Sequence, residues 1–149
     1  MNLHVCTDKQ RLDVALIHRY LSTQAYWSEG IPRETVQRAI DGSLCIGGYL
    51  DDGSQVAFAR VITDGATFGY LADVFVLPDH RGRGYSTALI EALLAQPALQ
   101  GLRRFMLATR DAHGLYARFG FDAPTRPELL MEIARPTIYQ DAAVAAVKD

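Results

Sequence analysis

The stretch VFVLPDHRGRGYSTALIEALLA, residues Val74–Ala95, decides the fold. It begins as a β-branched and aromatic run, breaks at Pro78, passes two arginine-glycine pairs and enters an apolar helical pattern. Leu89 with Leu93 and Ile90 with Leu94 share one helical face, and Pro97 closes the pattern, so the spacing predicts a helix over residues 84–95. Gly82 and Gly84 remove side chains where the backbone turns from strand to helix. The first N–H groups of a helix lack intrahelical acceptors, and the macrodipole places partial positive charge there. Such a turn suits a phosphate or pyrophosphate, with Arg81 and Arg83 at its rim. A ligand-free turn with solvated arginines fits the same spacing.

Upstream, Ser43–Leu50 reads as a strand, DDGS at 51–54 as a hairpin turn, and Gln55–Thr63 as the partner strand. DGA at 64–66 makes a second turn, and Thr67–Leu77 a third consecutive strand. Three strands joined by tight turns imply an antiparallel meander. Before it, Leu3–Cys6 forms a short strand, and Thr7 or Asp8 stands as N-cap to a helix over 9–21 marked by Leu12, Ala15, Leu16 and Tyr20. Pro32 suits the first turn of a second helix ending near Asp41-Gly42. Downstream, Arg103–Thr109 is a strand, Asp111–Phe119 a short helix stopped at Gly120, and Leu129–Ala134 a final strand. A crossover helix between two strands favours their parallel pairing. The fold class is therefore mixed α/β (α+β), with a mostly antiparallel sheet flanked by helices.

Composition bounds the function. A chain of 149 residues that is 49% hydrophobic has material for one core, and residues 1–135 are expected to form one domain, with 136–149 a tail of undecided structure. The formal charge of −2 offers no global field for a nucleic-acid backbone or an anionic membrane, so neither is an expected partner. Cys6 and Cys45 have no metal-like spacing and make no disulfide framework, which points to a reducing cytoplasm; His4, His18 and His80 suggest no metal site. No apolar run has signal-peptide or membrane-spanning length, so the mature chain is expected to be the whole chain.

Among phosphate-binding loops, GxxxxGK[ST] is absent. In the dinucleotide fingerprint GxGxxG or GxGxxA, Gly82 and Gly84 match, but Thr87 occupies the third small position and the match follows a meander rather than the first βα turn. Both nucleotide readings weaken together.

The segment VFVLPDHRGRGYSTALIEALL resembles motif A of the GNAT family of N-acetyltransferases, whose Q/R-x-x-G-x-G/A loop corresponds to Arg81-Gly82-Arg83-Gly84-Tyr85-Ser86. DAHGLYARFGF, 111–121, resembles the family's later motif, a tyrosine on a short helix before a Gly-Phe pair. Two motifs in order are more specific than either alone, and the predicted element order agrees through Ile133. The resemblance implies acetyl-coenzyme A as cosubstrate, its pyrophosphate on the amides of Arg81 to Ser86 and its pantetheine arm beside Phe75 and Val76. It also implies a bulged strand splayed from its neighbour, with an N–H near Val76 as oxyanion donor. Ser86 departs from the usual Gly or Ala, and Asp111 from the asparagine of many members. Family members are often dimers, which leaves a homodimer open.

The resemblance implies that Tyr116 donates a proton to the departing thiolate as general acid; packing with Phe119 and Phe121 is the alternative. Asp73, the one acid in the apolar run 70–77, could take a proton from the arriving amine or be a paired structural carboxylate. His113 is a second base candidate. In the family, the segment after the first helix walls the acceptor site, and here it holds Tyr26, Trp27, Ser28 and Glu29, whose aromatic faces suit a cationic amine or pack as a lid. Direct acetyl transfer to a primary amine of a small molecule, peptide or protein is the first functional reading. A catalytically inactive acyl-CoA-binding regulatory or interaction domain is the second.

Overall fold

The computed structural model describes residues 2–141. Five strands make one sheet in sequential order: β1 (His4–Cys6), β2 (Leu44–Tyr49), β3 (Gln55–Thr63), β4 (Phe68–Val76) and β5 (Arg104–Leu107). The predicted meander is present. Gly53 and Gly65 turn its two hairpins at φ of 87° and 72°, a left-handed region that glycine enters without a Cβ clash. The first three pairings are antiparallel and β4–β5 is parallel, as the crossover pattern requires.

Helices cover both faces. On one lie α1 (Val14–Thr23) and α2 (Arg33–Asp41); on the other lie α3 (Tyr85–Leu94), the β4–β5 crossover, and α4 (His113–Ala117). Ile17, Tyr20 and Leu21 of α1 pack with Val36 and Ile40 of α2, Phe58 and Phe75, where the Tyr20 and Phe75 rings stack at 4.0 Å. Leu89, Ile90 and Leu93 of α3 pack on Ala57, Ala59 and Val61 of β3. The strand period of two thus sends Phe58 to one core and its neighbours to the other.

Several boundaries differ from expectation. Asp8 caps a 3-10 turn at Lys9–Arg11, accepting from Gln10 N–H, and Asp13 is the N-cap of α1, accepting from Leu16 N–H. Pro32 is the residue before α2 rather than inside its first turn. Gly120 ends the α4 region at φ of 94°, as expected. The final strand expected over Leu129–Ala134 does not form within this chain: Pro127–Leu129 is a 3-10 turn, and 130–135 carry no regular structure and are exposed. A strand needs a neighbour for its N–H and C=O groups, and the path taken here provides none. A helical turn begins at Ile138, and the rest of the expected tail lies outside the described residues. Among those described, no helix is long and apolar enough to cross a membrane.

Phe58 is fully buried in the central strand, with the Phe75 ring at 5.9 Å. Phe58→Ala should lower unfolding stability by about 3–5 kcal/mol through lost transfer energy and a residual cavity. Chemical denaturation checks this; a loss under about 1 kcal/mol would contradict the packing described.

Candidate active site

The site begins with an irregularity in β4. Phe75 pairs with Phe58 and Ala72 with Arg60, so Asp73 and Val74 together oppose Ala59 in a β-bulge. Asp73 takes φ of 55° and is the one described non-glycine residue at positive φ. Aspartate tolerates the left-handed region better than most side chains, but the conformation still costs about 1 kcal/mol or more and needs support. The bulge also changes which residues face which core. Leu71 and Val76, five positions apart, both reach the α3 side, whereas Phe75 points to α1.

Support comes from a chain of hydrogen bonds. Trp27 Nε1 donates to Asp73 Oδ1 at 2.7 Å, and Arg60 Nε donates to Asp73 Oδ2 at 2.7 Å. Arg60 Nη1 donates to Ser43 Oγ at 2.9 Å, and Ser43 Oγ in turn donates to Ala39 O at 2.6 Å. The Arg60 and Asp73 side chains are only 15% and 10% exposed. Each is thus a largely desolvated charge whose partner makes burial tolerable.

Past the bulge the sheet opens. β5 pairs with β4 only from Phe68 to Leu71, while β4 continues to Val76 without it. The resulting cleft of about 650 Å³ is lined by Tyr26, Trp27, Arg60, Tyr70, Asp73, Val74, Arg110 and Tyr116, among others. The structure therefore brings Tyr26, Trp27, Asp73 and Tyr116, singled out from the sequence, to one cavity. Tyr26 and Trp27 meet edge to face at 5.1 Å, and the Arg110 guanidinium lies 3.6 Å over the Tyr26 ring. Burial raises the Tyr116 phenol above its ordinary pKa, so it stays protonated through the neutral range. Cys45 is buried and its thiol is pushed up to about 11, which leaves no thiolate nucleophile there at neutral pH.

Backbone polarity completes the site. Leu77 N–H donates to Val56 O on β3, so strand alternation turns the N–H of Val76 toward the opened side. Val74 lines the cleft; the Val76 side chain is core, and its carbonyl accepts from Arg81 Nε at 2.9 Å. Phe75 likewise offers only its backbone, since its ring is buried.

At the end of β4 the loop 81–84 leads into α3. Gly82 and Gly84 adopt φ of 78° and 77°, and a Cβ on either would meet nothing within 4 Å, so the loop's outer face is open. Gly84 is the N-cap of α3 and supplies no side-chain cap. Among the described residues, the N–H groups of 82–87 have no hydrogen-bond acceptor. Arg81, expected at the rim, is instead a brace: besides the Nε bond to Val76 O, its Nη2 donates to the Tyr20 phenol oxygen at 2.9 Å, which ties the loop to α1. Arg83 is exposed. His113 opens α4 and lines a different groove, and Asp111 is exposed at the cleft margin.

Arg60 and Arg110 were not anticipated. Arg60 carries a sequence signal, a lone charge within the apolar run VAFARVI, where burial demands a partner. Arg110 carries none, because its place over Tyr26 depends on how β5 diverges.

A helix N-terminus with open glycine faces thus follows a bulged strand splayed from its parallel neighbour. Residues 12–121 match the model of the acetyltransferase (GNAT) family, and the chain belongs to that family. A crystal structure from Xanthomonas campestris pv. campestris, described as a GNAT-family acetyltransferase, is 62% identical, superposes with a TM-score of 0.91, and is covered over 97% of its length by 93% of this chain. A Gibberella zeae protein named as acetyltransferase FG08082 is 36% identical over 76% of this chain and 75% of its own. Glucosamine-6-phosphate N-acetyltransferase from Arabidopsis thaliana shares the fold alone, at 14% identity, a TM-score of 0.61, and coverage of 91% of this chain and 98% of that one.

Asp73→Leu should leave Arg60 buried without a counter-charge and cost about 3–5 kcal/mol of stability. It should also shift the emission of Trp27, the chain's one tryptophan, by releasing its indole N–H. Fluorescence-detected unfolding reads both effects; unchanged emission and stability would contradict the clamp.

Proposed function

We propose that this protein is an N-acetyltransferase moving acetyl from acetyl-coenzyme A directly to a primary amine of a small molecule, peptide or protein. One observation carries the reading: the unpartnered N–H groups of 82–87, with both glycine faces open, stand at the end of the strand whose splay makes the cleft. A pyrophosphate placed there runs its pantetheine arm back along β4 toward Tyr116.

Bound acetyl-coenzyme A supplies an activated acetyl thioester. Val74, which lines the cleft, offers its N–H to the carbonyl oxygen as negative charge develops on it, a role expected from the sequence nearer Val76. Tyr116 holds its phenolic proton through the neutral range and gives it to the departing sulfur. Asp73 was expected to take the amine's proton. Each of its oxygens accepts one hydrogen bond and keeps a second lone pair, so we assign it the orientation of Trp27, the attraction of a cationic amine into the cleft and, directly or through water, the acceptance of the proton that amine must lose before it attacks. Tyr26 and Trp27 form the acceptor wall, their ring faces suited to an ammonium.

Thiol release from acetyl-coenzyme A over a panel of primary amines tests the reading. Amine-dependent release is expected; coenzyme binding without release for any amine would favour the inactive binding domain. With an accepted amine, Tyr116→Phe should lower kcat about 100-fold or more with little change in KM. Since burial raises the phenol pKa, its loss of a proton should cause no fall in rate below about pH 10. A normal Tyr116→Phe rate at every pH would remove the general-acid assignment.

A further inference from the structure

The cleft beside the bulge holds one charge that its hydrogen-bond network does not use. Arg60 is engaged by Asp73 and Ser43, whereas Arg110, just past the end of β5, makes no hydrogen bond or ion pair among the described residues. Its guanidinium carbon lies 3.6 Å over the Tyr26 ring, a face contact that holds the group while leaving its N–H donors unpaired. Arginine keeps its charge at any ordinary pH, and its planar fork matches the two oxygens of a carboxylate.

The opposite sign stands at the other end of the same wall. Asp73 Oδ1 accepts the Trp27 indole N–H, Trp27 meets Tyr26 edge to face, and Tyr26 carries Arg110. Four side chains therefore run in contact from an anion to a cation along one cleft. Tyr26 is 50% exposed and Trp27 39%, so the apolar surface between the two charges is open to a ligand.

The charges also limit what that ligand is. Because Arg110 covers one face of Tyr26, an ammonium brought to that end meets a like charge. Asp111, the next residue, is exposed and lines the same cleft, and it repels a phosphate dianion more strongly than a carboxylate. The cleft volume of about 650 Å³ suits a small ligand.

We propose that the acceptor is a small molecule carrying a carboxylate as well as its primary amine, and that Arg110 selects it. This rests on the transferase reading above and narrows its acceptor. The ammonium enters at the Trp27–Asp73 end, and the carboxylate pairs with the Arg110 fork at the Tyr26 end. Arg110 is thus a specificity residue, and its contribution lies in binding the acceptor.

Matched amines differing only by the carboxylate test this: L-phenylalanine with phenethylamine, L-histidine with histamine, L-leucine with isopentylamine, and γ-aminobutyrate with propylamine. Affinity for the protein loaded with coenzyme A is read by calorimetry, and kcat/KM by thiol release from acetyl-coenzyme A. At least one carboxylated member should bind and react about tenfold better than its partner, or more. Arg110→Gln should weaken binding of that member about 10–100-fold and erase the preference, and Arg110→Lys should restore part of it. Arg110 is exposed, so both variants should keep the far-UV circular dichroism of the parent. The proposal is overturned by the absence of a carboxylate preference in every pair, or by a preference that survives Arg110→Gln. Tighter binding of O-phosphoethanolamine than of every carboxylated amine would also overturn it. Carboxylate-selective, Arg110-dependent binding without thiol release would uphold the acceptor site and remove the transferase reading. Equal affinity and equal thiol release for both members of every pair would do the reverse.

Discussion

The ion pair between Arg60 and Asp73 is the constraint on which the rest of the site depends. Asp73 sits at a positive φ that glycine would occupy without strain, and it stays there because Arg60 and Trp27 each hold one carboxylate oxygen. Glycine would relax the backbone and lose both anchors. The bulge, the change of facing along β4, and the position of Trp27 therefore share one cause. Through Ser43, the same network reaches the end of α2, so the cleft is braced by the helical layer behind the sheet.

The bulge and the splay divide β4 into two parts with different tasks. Up to Leu71 it is an ordinary central strand, paired on both edges. Beyond Ala72 it keeps β3 but not β5, and Asp73 and Val74 line a cavity. The glycine loop then repeats the same device at the start of α3, presenting main-chain donors with no side chain in front of them. Arg81 spends its guanidinium on Val76 O and Tyr20, so the loop is stiffened by a cation that its motif alone would assign to a phosphate.

Much of the architecture was legible in the sequence because its signals are local. The turns at Gly53 and Gly65, the strand between them, and the i,i+4 pairs of α3 each lie within a few residues. Tyr26, Trp27, Asp73 and Tyr116 were recognisable as candidates, and the fold gathers them at one cleft. What could not be read depends on contacts distant in the chain. Arg60 signals a buried charge but not that Asp73 is its partner, Arg110 is unexceptional until it covers Tyr26, and Arg81 until Tyr20 receives it. The segment 129–134 has strand character but no partner among the described residues, since alternation specifies a face and not a neighbour.

Under the proposed function, the splayed end of β4 and the open glycine loop form one receptor for acetyl-coenzyme A. Amide NMR during titration of the isotope-labelled protein with acetyl-coenzyme A tests it most directly. The N–H resonances of Val74 and of 82–87 should shift along a common binding curve and gain protection from exchange. Saturable binding that leaves Val74 and these loop amides unmoved would contradict it.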